Sequence, residues 1–307
     1  MTLEATPPVP MPAGAGRAWL GAALALFGAV AAAALLVTAR GLYDYGANPL
    51  TVLFIRAFGF VTLLALFLRL TGRPIRMAPS ERYPSLALGL LLSFTTWANY
   101  TAVSLIPVSL SMLLLYTYPL MVAVAMRLVE GEKVRRIQYV AILIAFIGLA
   151  VSLEVAKGPL EPVGVALSLA SATGLTVIVL VSNRILQRAD SRRLTLHMAT
   201  TNSLCYGGAM LATGGPAIPG DPAIALILLV FPLGYFMAIL GFFSAIPLIG
   251  PTRASMFSNM EPIAAMSFAA LALGQPVSGV GWIGAALVVG AVLVVQIAAA
   301  IPQATKP

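Results

Sequence analysis

Ten apolar segments, separated by short polar breaks, run through this chain. A helix needs about 20 apolar residues to cross the hydrocarbon core of a bilayer. The segments are residues 18–38, 50–70, 84–105, 107–129, 135–154, 161–183, 194–213, 223–247, 252–273 and 279–300. Turn-forming residues such as Gly46-Ala47-Asn48-Pro49 mark the breaks. We therefore predict an all-α polytopic membrane protein with ten transmembrane helices.

Composition supports a lipid environment. Hydrophobic residues make up 60% of the chain and charged residues only 9%, whereas a soluble domain carries about 25% charged residues. A soluble chain of this kind would expose large apolar patches and aggregate. The net charge is +8, but the basic residues form short clusters between apolar runs instead of one polar face. We therefore expect the lipid bilayer as a partner and no nucleic acid.

The basic residues also predict an orientation. Three alternate loops hold most of them: Arg69, Arg73, Arg76 and Arg82; Arg127, Lys133, Arg135 and Arg136; and Arg184, Arg188, Arg192 and Arg193. Because cytoplasmic loops are enriched in Lys and Arg, we predict that these loops and both termini are cytoplasmic, in a bacterial inner membrane. Residues 1–17 and 301–307 are expected to be disordered tails.

An internal repeat relates the two halves of the chain. A shift of 143 residues superimposes five pairs of apolar segments without a gap, and aligns Gly21 with Gly164, Leu105-Ile106 with Leu248-Ile249, and Pro119 with Pro262. We predict one repeat at residues 18–154 and a second at 161–300. Since each repeat has an odd number of helices, the second would enter from the opposite side. Inverted repeats with a site near the midplane are typical of secondary transporters.

Two ionisable residues lie inside predicted spans. Arg56 is in the second span and Glu261 in the ninth, and charged groups at such depth mark functional sites by default. Arg56 could hold a solute carboxylate or phosphate, or snorkel to the outer interface. Glu261 could bind an amine or carry a proton, or brace the helix beside Pro262. The sequence leaves both pairs of roles open.

Other polar and aromatic residues within the spans complete a candidate substrate site: Trp97, Asn99, Tyr100, Tyr116, Tyr118 and Asn259. Pro119 and Pro262 lack an N–H group, so each should break its helix and leave the carbonyls of Leu115 and Ser258 free. Irregular backbone in a span is tolerated where protein or a cavity surrounds it. We therefore expect both breaks to face a midplane cavity.

Metal and cofactor chemistry is not expected. The chain has one cysteine, Cys205, and one histidine, His197, too few for a thiolate or imidazole metal site. Its three aspartates fall in predicted loops, which argues against an aspartyl pair within the bilayer, and no GxxxxGK[ST] phosphate loop is present. An intramembrane enzyme and a non-transporting membrane scaffold are the alternatives to a transporter.

The repeat carries a family resemblance. One copy reads YPLMVAVAMRLVEGEKVRRIQYVAILIAFIGLAV from Tyr118, and the other reads MEPIAAMSFAALALGQPVSGVGWIGAALVVGAVLVV from Met260. A proline, an apolar stretch, a Leu-Gly-Glu-like turn and a glycine-rich last helix resemble the EamA-type transporters of the drug/metabolite transporter superfamily. The resemblance implies a secondary transporter that moves an amino acid, nucleoside, vitamin or similar metabolite, with export as the expected direction. It does not indicate whether the protein is a monomer or a homodimer.

Overall fold

A computed structural model describes residues 15–106, 108–131, 136–152, 161–273 and 277–300. Within these ranges the regular structure is helical and no strand occurs. The helices are α1 (Ala15–Asp44), α2 (Pro49–Leu70), α3 (Pro79–Leu105), α4 (Val108–Leu115), α5 (Tyr118–Val129), α6 (Arg136–Ser152), α7 (Pro162–Leu186), α8 (Ser191–Ala212), α9 (Pro222–Ile249), α10 (Pro251–Phe257), α11 (Met260–Leu273) and α12 (Gly279–Ala300). The predicted all-α fold is confirmed. Residues 15–17 of the predicted N-terminal tail belong to α1; residues 1–14 and 301–307 lie outside the described ranges.

In the described part of the chain, five segments are long and apolar enough to span a bilayer: Gly16–Ala39, Pro49–Leu70, Ser111–Val129, Pro162–Leu186 and Pro222–Ile249. Two shorter apolar helices cover Arg136–Val151 and Gly279–Val294. The helix α8 is more polar, since Arg192, Arg193 and His197 occupy its first two turns. The count of ten spans and the side of each terminus stay predictions.

Two predicted spans are interrupted. The span at 107–129 divides into α4 and α5, and the span at 252–273 divides into α10 and α11. In each case a proline lies within the first turn after the break, where its missing N–H group costs no helical hydrogen bond. Short turns close the gap: the N–H of Thr117 donates to Leu114 at 3.2 Å and that of Asn259 donates to Met256 at 3.1 Å.

The prediction of a free Ser258 carbonyl is wrong. This carbonyl accepts the N–H of Glu261 at 3.0 Å, a tight turn of the kind that satisfies orphan groups at helix ends. The Ser258 carbonyl at the second break therefore has a backbone partner.

Side chains at the loop ends begin several helices. Asn48, Asp190 and Asp221 precede α2, α8 and α9, and each accepts a backbone N–H of the first turn at 2.7–2.8 Å. Such caps satisfy donors that the helix itself cannot pair. Two of the three aspartates are therefore used structurally, at helix ends.

Helix packing exchanges partners between the two halves. The helix α1 packs against α9, and α7 packs against α3, while α2 pairs with α8 and α6 with α12. Under the shift of 143 residues, α1 corresponds to α7 and α9 to α3, so the first two contacts are equivalent. The first helix of each half thus lies against the third helix of the other, and neither half forms the core alone.

The exchange of contacts between the two halves also involves single hydroxyl and carbonyl groups. The Ser171 hydroxyl donates to the carbonyl of Thr95 at 2.8 Å. The equivalent positions are Gly28 and Ala238, and a Cβ on Gly28 would lie 2.9 Å from the Ala238 carbonyl oxygen. One of the two equivalent helix contacts therefore uses a serine hydroxyl, and the other uses backbone atoms alone.

Candidate functional site

A cavity of about 330 Å³ lies between the two halves. The first half lines it with α1, α2, α3, α4 and two tyrosines at the α4–α5 break, and the second half with α7, α9 and residues at the α10–α11 break. Most of the wall is aliphatic or aromatic, with a few polar groups among them. Pockets of this size and character bind small molecules.

The two helix breaks meet at this cavity through their side chains. The Tyr116 hydroxyl interacts with the Glu261 carboxyl group. The side chains of Tyr118 and Ser258 also interact. Both interactions run from the first repeat to the second, and all four residues line the cavity. The contact between the repeats is therefore polar at the point where both helices are interrupted.

Arg56 provides the positive charge of the cavity. It extends from α2, and its guanidinium carbon lies 4.7 Å from the centre of the Tyr235 ring on α9. A guanidinium over an aromatic face is stabilised by the ring quadrupole. Arg56 also interacts electrostatically with Glu261. The cavity thus places a cation and an acid from opposite repeats within reach of one small molecule.

Three polar side chains at the cavity wall, those of Asn99, Ser111 and Ser168, contact one another in a row. The Ser111 hydroxyl lies 2.8 Å from that of Ser168, and it donates to the side-chain oxygen of Asn99 at 3.3 Å. Both serines are fully buried, whereas Asn99 reaches the cavity. This row fixes the Asn99 amide, because its oxygen is engaged by a buried donor.

Six of the residues proposed from sequence line the cavity: Arg56, Asn99, Tyr116, Tyr118, Glu261 and Pro262. Pro119 and Asn259 are buried beside the breaks without lining it. Trp97 departs from the expectation, because it is 56% exposed and lies on the outer side of α3. The side chain of Tyr100 lies outside the described part of the structure.

Sequence reasoning missed several polar lining residues: Thr95, Thr96, Ser171, Tyr235 and Ser258. Threonine and serine are frequent in membrane helices as packing residues, so composition does not single them out. Tyr235 could have been identified as a candidate site residue from the sequence. It is the one phenolic group in α9, an otherwise apolar helix.

Metal-ligating side chains do not cluster in the described ranges, where no group of three His, Cys, Asp or Glu residues is found. His197 bonds the carbonyl of Arg193 through Nδ1 at 2.8 Å. This hydrogen bond within α8 explains the position of the His197 side chain.

Comparison with known proteins gives a family and a fold. The sequence profile of the EamA-like transporter family matches residues 19–153 and again 162–297. A solved structure, described only as a crystal structure of a protein, superposes with a TM-score of 0.75 at 18% identity, over 92% of this chain and 99% of that one. At this identity the superposition establishes the fold alone. The curated proteins contain no significant match.

Proposed function

Because the chain belongs to the EamA-like transporter family, we propose that it carries a small metabolite across the cytoplasmic membrane by alternating access between two inverted five-helix repeats. The family resemblance in the sequence is confirmed, and the chain is a multi-pass membrane protein of a transporter family. The solute, the direction and the mechanism are the proposal. We propose export as the direction of transport from the family resemblance. We propose that both termini are cytoplasmic from the charge bias of the loops.

The observation that carries the proposal is the position of the cavity. It lies where two interrupted helices, one from each repeat, face each other. Broken helices at a repeat interface are the usual site of solute binding in secondary transporters. We propose that rearrangement of the contacts exchanged between the repeats opens the cavity alternately to each side.

The charges of the cavity favour a class of solute. Arg56 presents a guanidinium and Glu261 a carboxyl group, with Tyr116, Tyr118 and Asn99 as hydrogen-bonding neighbours. A solute that carries both a carboxylate and an amine would engage both ends, and its apolar part would meet the aliphatic and aromatic walls. Among amino acids, nucleosides and vitamins, we therefore place amino-acid-like zwitterions first.

Flux into liposomes tests this proposal. Purified protein is reconstituted, and uptake of labelled amino acids, nucleosides and vitamins is measured with and without a pH gradient. Glu261→Gln should reduce flux of the accepted solute strongly. Glu130→Gln is the matched control, because Glu130 pairs with Arg184 at 2.6 Å in an exposed position. No flux for any class, or equal flux in the two variants, would contradict the proposal.

A further inference from the structure

A second cavity, of about 650 Å³, opens on the outer side of the bundle between α2, α3 and α8. We call it the lateral groove; residues such as Leu50, Leu90, Phe94 and Trp97 line it. Leu90 is 59% exposed and Trp97 56% exposed. In a membrane protein, such exposed apolar side chains face lipid, so the groove is open to molecules dissolved in the bilayer.

The lateral groove and the central cavity share a wall. Leu53 lines both. With Ala57 and Tyr206 it forms a small buried cluster, against which Leu50 and Phe54 pack. This cluster is separate from the larger cores of the protein. One layer of side chains between α2 and α8 therefore separates the bilayer from the central cavity.

That wall contains a polar group without a partner. Tyr206 lines the groove and is only 5% exposed. Its hydroxyl is buried and makes no hydrogen bond with any described residue. Buried hydroxyls are normally paired, and each exception calls for an explanation. Tyr206 lies near Tyr235, which lines the central cavity and underlies Arg56.

We propose that the lateral groove is an entrance through which membrane-dissolved molecules reach the central cavity, and that, when Leu53 moves aside, it binds an apolar molecule with one hydrogen-bond acceptor, which the uncovered Tyr206 hydroxyl engages. The inference rests on the proposed function only in taking the central cavity as the solute site: charged solutes reach that cavity from water, and the lateral groove admits molecules that dissolve in the bilayer. Leu53 is the side chain that must move to connect the two spaces.

Access to the central cavity can be measured without any flux. Thr96→Cys, in a Cys205→Ser background, places one thiol on the cavity wall. It is alkylated in proteoliposomes either by a maleimide with an alkyl chain that keeps it in the bilayer or by a charged, water-soluble maleimide. Ala209→Trp fills the mouth of the groove. Leu204→Trp is the control, since Leu204 is 71% exposed on the same helix and does not line the groove.

The expected result is selective. Ala209→Trp should slow the bilayer-soluble reagent several-fold and leave the charged reagent unchanged, whereas Leu204→Trp should slow neither. The unchanged rate with the charged reagent also shows that the variant is folded. Equal rates for the bilayer-soluble reagent in the two tryptophan variants would overturn the entrance, whether or not the protein transports a solute.

Binding in the groove is measured at Cys205, which lines it and is the one cysteine of the chain. Butyl benzoate supplies a carbonyl acceptor, and an alkylbenzene of equal length supplies none. The ester should protect Cys205 from alkylation at a bilayer concentration about two- to tenfold lower, the effect of one net hydrogen bond. Tyr206→Phe should abolish the difference, and a Leu204→Cys thiol in the Cys205→Ser background should be unprotected.

Two results would contradict this assignment. Equal protection by the ester and the alkylbenzene would remove the role of Tyr206. Protection by added phospholipid alone would make the groove a lipid site. If the access and protection experiments succeed while no solute is transported, the entrance stands and the proposed transport activity fails.

Discussion

Gly21 on α1 lies against Ile249 at the end of α9, so closely that a Cβ on the glycine would come within 2.6 Å of the isoleucine Cγ2. The other half repeats this contact with its members exchanged. A Cβ on Gly164 would lie 2.8 Å from Cγ2 of Ile106, and the shift of 143 residues turns Gly21 into Gly164 and Ile106 into Ile249. The contact therefore belongs to the junction between repeats, and both copies require the absence of a side chain.

We expect Gly21→Ala and Gly164→Ala to destabilise the protein by similar amounts. An added methyl group forces the packed isoleucine to shift, which costs about 1–3 kcal/mol. Gly208→Ala is the matched control, since a Cβ at this position would meet no neighbouring group within 4 Å and a helical alanine gains about 0.5–1 kcal/mol over glycine. Unfolding in mixed micelles measures all three. If Gly21→Ala left the stability unchanged, the packing would be contradicted. In the Gly21→Ala variant, a second change, Ile249→Ala, should recover part of the lost stability.

The buried serine pair predicts a non-additive result. Ser111→Ala leaves the Ser168 hydroxyl without its 2.8 Å partner, and an unsatisfied buried hydroxyl costs about 1–3 kcal/mol. The double variant Ser111→Ala/Ser168→Ala removes both hydroxyls and should cost less than the sum of the two single changes, although it also removes the donor to Asn99. The equivalent positions of the other repeat are already alanine, Ala254 and Ala25, in one apolar cluster. Additive losses in a double-mutant cycle would contradict the pairing.

Substitutions of Tyr116 and Glu261 separate the stability of the protein from its affinity for solute. Tyr116→Phe removes the hydroxyl that interacts with Glu261 and should lower the free energy of unfolding by about 0.5–1.5 kcal/mol, the net effect of one polar interaction. Glu261→Gln keeps an acceptor but no charge, so it should lower solute affinity by about tenfold or more, equal to about 1.4 kcal/mol or more, with a smaller loss of stability.

Flux against solute concentration and unfolding in the same micelles provide the two measurements. Glu261→Ala serves as the comparison, because it removes the acceptor as well as the charge. If Glu261→Gln leaves transport unchanged and only Glu261→Ala reduces stability, the carboxyl group braces the helix break and does not contact solute.

Tyr235 should act through its ring and not its hydroxyl. Tyr235→Phe keeps the aromatic face under Arg56, so solute affinity should be close to that of the wild type. Tyr235→Leu removes the face and the 4.7 Å cation–π contact, which is worth about 0.5–2 kcal/mol. Affinity for the anionic group of the solute should fall accordingly in a competition assay. Equal loss in both variants would assign the effect to the hydroxyl instead.

Orientation is tested at exposed positions near the helix ends. In a Cys205→Ser background, Ser80→Cys and Gln187→Cys should react with an impermeant maleimide only from the cytoplasmic side, because the arginine-rich loops are predicted there. Tyr45→Cys and Gly220→Cys should react from outside. All four positions are exposed. Labelling of Gln187→Cys in intact cells would exclude the predicted topology.

The sequence by itself determined the helical membrane fold, the twofold repeat and part of the site. Long apolar runs specify helices in lipid, since no other local structure satisfies the backbone there. Prolines at 119 and 262 predicted two interrupted helices, and both interruptions occur. Arg56 and Glu261 were identified because a charge inside an apolar run is costly and therefore conspicuous.

The tertiary structure alone decided which faces of the helices form the site. Trp97 and Asn99 are two residues apart on α3, and because a helix turns about 100° per residue, they point to nearly opposite sides. Asn99 reaches the cavity between the repeats and Trp97 lines the lateral groove. The packing of α3 against α7 and α8 fixes that rotation. A nearly uniform apolar sequence cannot specify it, because hydrophobicity no longer distinguishes the buried face of a helix from the face turned to lipid.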